Sequence, residues 1–187
     1  MKSSIRKTTW LAIYRLLDLV SPIRGDCGDL CDHACCVCED PLSETQKDSK
    51  LGIYLLPGEE KLFTRREDWL TWSTDPVEDY DFPLSWHGQI HFVRCNNAPH
   101  CVRKLRPLQC RTFPLTPHIT GDGAYHVVLN TDELPYVCPL VAERIPLDGR
   151  FIRATYTVWK RLIKDPLIAD LVRADSLYRG DDVDIVL

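Results

Sequence analysis

LRPLQCRTFPL at residues 105–115 and CGDLCDHACCVC at residues 27–38 are the two stretches whose joint reading decides the fold. In the first, Cys110 stands between Arg106 and Arg111 and between Pro107 and Pro114. A cysteine that only fills apolar space has no use for two arginines. The thiolate does, because it is the form that binds metal and nearby positive charge stabilises it. The second stretch packs five cysteines into twelve residues. If both belong to one site, later cysteines close it by drawing distant segments together, and the fold is tied to a metal.

Composition sets the frame. A chain of 187 residues suggests a single domain spanning 1–187, long enough to bury a core. Its 44% hydrophobic and 27% charged content matches an ordinary soluble globular protein. A net charge of -4 gives no reason to expect nucleic acid or an acidic membrane as partner. The opening MKSSIRKTTWLAIYRLLDLV has a basic start, but Arg15 and Asp18 interrupt the apolar run and no small-residue cleavage site follows. Trp10, Ile13, Tyr14, Leu17 and Val20 recur at helical spacing, which predicts an amphipathic helix over about residues 8–20. No stretch approaches the ~18 apolar residues of a membrane span. The expected location is cytoplasmic. In that reducing setting nine cysteines, an odd count with a vicinal pair, favour metal over disulfides.

Further along, LGIYLL (51–56) reads as a strand closed by Pro57-Gly58, with EKLFT as its partner. Residues 65–85 read as mostly loop. QIHFVRC (89–95) alternates like a strand that runs into Cys95, and residues 96–110 read as irregular. TFPLTPHI (112–119) must be extended because its prolines forbid helix. Gly121-Asp122-Gly123 predicts a hairpin turn into AYHVVLN (124–130). Phe151, Ala154, Thr155, Val158, Leu162 and Ile163 mark a helix face, and Asp165-Pro166 restarts a second helix with Asp as N-cap. The expected class is α+β: a small cysteine-rich metal-binding domain of short strands and loops. The metal-binding region is 27–140, and the N-terminal helix and C-terminal helices over about 148–176 pack on it.

The cysteines stand at 27, 31, 35, 36 and 38, then at 95, 101 and 110, then at 138. Tetrahedral zinc takes four N or S ligands, and a [4Fe–4S] cluster is held by four thiolates. Five cysteines within twelve residues exceed the need of one mononuclear site. In a continuous helix Cys27, Cys31 and Cys35 would share one face, and Cys35 and Cys36 would point in different directions.

CGDLCDHACC, RCNNAPHCVRKLRPLQCRTFPL and the later CPL together resemble the CxxCxxCC proteins, a family of zinc- or iron-chelating domains. RPLQCRTFPL is the most specific part of the match. The resemblance implies Cys27, Cys31, Cys35 and Cys36 as the cluster, Cys95, Cys101 and Cys110 as the middle set, and Cys138 as the last ligand. The cluster spacing here is wider than the family's, and Cys38 has no counterpart in its pattern. One branch similar to this pattern, the flagellin lysine N-methylases, is thought to use an iron–sulfur cluster.

Arg106 and Arg111 are the candidate counter-charges of the site. Four thiolates around zinc carry a net charge of about -2, which is costly to bury unpaired, and contacts behind the ligands tune metal affinity about 10- to 100-fold. His33 and Cys38 remain open as ligands. His87, His91, His100, His118 and His126 read as surface or hydrogen-bonded histidines, and Trp69, Trp72 and Trp86 as packing. The expected function is chelation of zinc or an iron–sulfur cluster. An iron–sulfur-dependent enzyme (group transfer such as protein lysine methylation, or redox) and a structural-zinc interaction module stay open beside it. So does a protein partner or protein substrate.

Overall fold

A computed structural model of the protein describes residues 2–38, 52–98, 100 and 106–187. Helix α1 spans Lys7–Leu17 and buries Trp10, Ile13, Tyr14 and Leu17, the stripe that the periodicity predicts. It stops short of residue 20, with Asp18 as its C-cap.

Two longer helices close the chain. Helix α5, Gly149–Leu162, is capped by Asp148, whose side chain accepts from Arg150 N at 2.7 Å. Helix α6, Pro166–Arg179, is capped by Asp165 as the sequence predicts, with Oδ1 accepting from Leu167 N and Ile168 N. The other oxygen of Asp165 accepts from Ser3 Oγ at 2.9 Å, Ser4 N at 2.6 Å and Ser4 Oγ at 2.7 Å. One buried carboxylate therefore caps α6 and also fastens the start of the chain to it. Between α1, α5 and α6 lies the main core, with Trp10, Trp86, Ile90, Leu108, Leu162 and Ile168 at its centre.

Strands β1 (Ile53–Tyr54), β2 (Leu70–Pro76) and β3 (Gln89–Cys95) form an antiparallel sheet in the order β1-β3-β2. The QIHFVRC strand has the predicted bounds. One expectation fails and another is incomplete. Among the described residues EKLFT does not pair with the 52–56 segment: Glu59–Leu62 is a 3₁₀ turn, entered through the left-handed backbone of Gly58. Residues 65–85 are irregular over about half their length, as expected, but they also contain a strand, since Leu70–Pro76 pairs with β3 from Leu70↔Cys95 to Pro76↔Gln89. The acidic and proline residues hid an edge strand, the one place in a sheet where Pro is tolerated.

Strands β4 (Leu115–Ile119) and β5 (Tyr125–Leu129) form the expected hairpin. The chain end pairs with β5, where Val127 N donates to Leu187 O and Val186 N donates to Val127 O. Leu115, Val127 and Phe151 pack between this hairpin and α5. Trp69 and Trp86 are buried, in keeping with packing roles. The architecture is α+β, with two small antiparallel sheets. Among the described residues no helix is long and apolar enough to cross a membrane.

Candidate metal centre

The early cysteines do not lie on one helix. Asp26 caps a 3₁₀ turn over Cys27–Leu30, its side chain accepting from Gly28 N at 3.1 Å. Asp32 (φ 48°) and His33 (φ 59°) then take left-handed backbones, which end any continuing helix. A single turn, α2 (Ala34–Val37), follows, held by Cys36 N to His33 O at 2.7 Å and Cys38 N to Ala34 O at 3.1 Å. The two left-handed residues replace the expected shared face of Cys27, Cys31 and Cys35 by a compact coil. The imidazole of His33 lies against Gly28, where a Cβ would meet Nδ1 at 2.0 Å, so any other residue at 28 would push the ring out of this position. That Nδ1 is buried with no hydrogen-bond partner among the described residues.

Within α2 the sulfurs of Cys35 and Cys36 lie 3.9 Å apart. The expectation that neighbours on a helix diverge is corrected: in this short turn both side chains lean to the same point. The contact with Cys35 pulls Cys36 down to about 6, helped by Arg106 and His33, while the same contact and burial push Cys35 up.

Later segments converge on this coil. Helix α3 (Leu108–Thr112) carries Cys110. Cys27 and Cys110 line one cavity of about 20 Å³ with Leu17, Pro22, Arg106, Arg111 and Phe113. A space of this size holds one water- or ion-sized body. Cys138 sits at the N-cap of helix α4 (Pro139–Ala142). Burial pushes the Cys138 thiol up, with the charge of Cys31 adding to the rise and the amides of Val141 and Leu140 opposing it. Burial also pushes Cys27 up; the charges of Asp26, Cys138 and Cys31 add to this, and Arg106 opposes it. Cys38 Sγ donates to Pro135 O at 3.6 Å. Tyr136 lies among them: burial raises its phenol, and the charges of Cys35, Cys110, Cys138 and Cys38 raise it further. The structure thus brings Cys27, Cys31, Cys35, Cys36, Cys38, Cys110 and Cys138 into one neighbourhood.

Cys95 ends β3 and packs against Trp69, Leu70 and their neighbours in the second core. Cys101 lies outside the described residues, as do Arg103 and Lys104. Among the described residues no three His, Cys, Asp or Glu side chains are set closely enough to hold a metal ion as they stand.

The two arginines divide their roles. Arg106 forms an ion pair with Asp26 at 3.8 Å, and its charge acts on Cys27 and Cys36. Arg111 is buried: it donates to Asp18 Oδ1 at 2.6 Å, to Tyr14 O at 3.3 Å and, through Nε, to Arg106 O at 2.7 Å. Its guanidinium lies 4.2 Å from the Tyr14 ring centroid. Arg111 therefore locks the Cys110 helix to α1 and holds the backbone of Arg106.

A second anchor went unread in the sequence. The carboxylate of Glu59 is fully buried and accepts from Tyr14 Oη at 2.5 Å, Leu108 N at 2.7 Å and Leu56 N at 3.0 Å. It joins α1, the 56–59 turn and the first residue of α3. Tyr136 and Glu59 carry no motif; Asp26, two residues before Gly28, could have been found as a cap. Comparison of the chain with protein-family models, curated proteins and solved structures finds no match.

Proposed function

We propose that the protein chelates zinc or an iron–sulfur cluster through its clustered cysteines. The single observation that carries the reading is the 3.9 Å separation of the Cys35 and Cys36 sulfurs. Zinc with Zn–S bonds of ~2.3 Å in tetrahedral geometry needs its sulfurs ~3.8 Å apart, so this pair already forms one edge of such a site. Each iron of a [4Fe–4S] cluster takes a single thiolate, so that distance favours zinc or a centre whose metal takes two cysteines.

The donor set fits a soft metal. Cys27 and Cys110 share a cavity, Cys31 and Cys138 lie within electrostatic reach, and Arg106 supplies positive charge beside Cys27 and Cys36. Cys95 and Cys101 remain candidate ligands from the middle segment. The metal's part is to draw segments 27–38, 106–112 and 135–138 together, so binding completes the ligand geometry and adds to folding free energy. A metal titration of Cys36→Ser and Cys110→Ser against the parent tests this. Both variants lose metal if the reading holds. Parent-like binding by Cys110→Ser would mean that residues 27–38 and Cys110 do not share a site.

A further inference from the structure

We infer that Cys35 and Cys36 form a capture site for trivalent arsenicals. The class is recognised by its chemistry: arsenic(III) is thiophilic, pyramidal, and closes a stable ring with two sulfurs that face one another. Zinc needs four donors, whereas an organic arsenic(III) oxide needs only two. The inference therefore does not depend on four cysteines sharing a metal.

Three observations meet at this pair. The sulfurs are 3.9 Å apart on adjacent residues, so a small bridging atom reaches both without backbone movement. The turn that carries them is fixed by the bonds from Cys36 N and Val37 N to His33 O and from Cys38 N to Ala34 O. Cys35 is exposed and Cys36 half-buried, which gives a ligand access to one sulfur first and the other second. Once the first As–S bond forms, the second is intramolecular on a fixed turn, and such preorganisation raises the effective concentration of the second thiol greatly.

The reaction balances without an oxidant. In R–As=O the arsenic–oxygen bond breaks and two arsenic–sulfur bonds form; the two thiol protons leave with the oxygen as water. Arsenic remains trivalent and no sulfur is oxidised. Third-sulfur closure, as inorganic arsenite would use, could draw on Cys110, whose charge is felt at Cys35, but the organic probe does not require it.

The test uses the full chain, stripped of metal by a chelator and kept reduced with a phosphine. One equivalent of phenylarsine oxide is added, and intact mass is read after challenge with excess monothiol or a dithiol such as 2,3-dimercaptopropanol. The expected result is one phenylarsenic group per chain that survives the monothiol and leaves with the dithiol. Cys35→Ser and Cys36→Ser should each weaken retention at least tenfold. Retention by either vicinal variant at the parent's level overturns the inference. Should Cys36→Ser fail to fold, Cys35→Ser at its exposed position decides alone. Arsenical uptake by protein that takes up neither zinc nor an iron–sulfur cluster leaves this inference standing and removes the chelation reading; uptake of either metal without arsenical uptake does the reverse.

Discussion

Glu59→Ala is the perturbation whose magnitude can be worked most fully from the structure. The carboxylate accepts three hydrogen bonds, from Tyr14 Oη, Leu108 N and Leu56 N, in a place with no access to solvent. Removing it strands two backbone N–H groups and a phenol. A buried donor left without a partner costs about 1–3 kcal/mol, and some of that is recovered if water enters the space. The expected loss is about 3–5 kcal/mol, a large part of the 5–15 kcal/mol that holds a typical domain together. For a chain of 187 residues each kcal/mol lowers Tm by about 2–4 °C, so the fall should be about 10 °C. Glu59→Gln should cost less, about 1–3 kcal/mol, because one oxygen still accepts while the amide NH₂ opposes Leu56 N–H. The pH signature separates the two. Burial raises the folded-state pKa of Glu59 against the pull of its hydrogen bonds. The folded state therefore holds this proton more tightly than the unfolded chain does. Its contribution is present below the unfolded carboxylate value and is lost as pH rises through the folded one. Urea denaturation of parent and both variants between pH 4 and 7 reads all of this, with the Gln variant lacking the Glu59 share of the slope. A change under about 0.5 kcal/mol in Glu59→Ala, the size expected of an ordinary surface site, would refute the reasoning.

Arg111→Ala should destabilise by about 2 kcal/mol, below the 3–5 of a fully buried pair because Asp18 keeps one side in water. Arg111→Lys should recover only part of it, since Lys keeps the charge towards Asp18 but loses the fork to Arg106 O and the stack on Tyr14; thermal melts of the three proteins decide. Burial pushes Asp165 up, but the bonds from Ser4, Ser3 and Ile168 outweigh it and hold the carboxyl low. Its stability share is therefore present above the unfolded value and is lost as pH falls through the folded one, and Asp165→Asn should flatten the acid limb of a pH–stability curve. Metal affinity should climb with pH because bound Cys27 and Cys138 must release protons that burial helps them keep; calorimetric titrations in two buffers of different ionisation enthalpy should show the release. Removing metal should lower Tm, as a ligand bound only by the folded state stabilises it, and an unchanged melt after verified metal loss would contradict this.

Where periodicity or cap chemistry carries the signal, the sequence was legible. The stripe from Trp10 to Leu17, the Asp165-Pro166 restart and the alternating Gln89–Cys95 strand all follow from local rules, and the structure has them. Leu70–Pro76 was not legible, since an edge strand exposes one face and admits Asp75 and Pro76, erasing the apolar alternation. The Cys35–Cys36 pair was misread because neighbours on a helical turn were expected to diverge, whereas both side chains lean to one point within α2; the left-handed Asp32 and His33 broke the longer face of Cys27, Cys31 and Cys35. The placement of the Cys110 helix rests on anchors distant in sequence, Glu59 to Leu108 and Arg111 to Asp18. No spacing rule reports contacts of that kind.

Metal analysis with an absorption spectrum on protein purified without oxygen tests the central claim most directly. The account predicts metal bound in stoichiometric amount: colourless protein with zinc, or coloured protein with iron and sulfide, and in either case a large loss of metal in Cys110→Ser. Protein that folds and holds neither metal, even after reconstitution under reducing conditions, would contradict it.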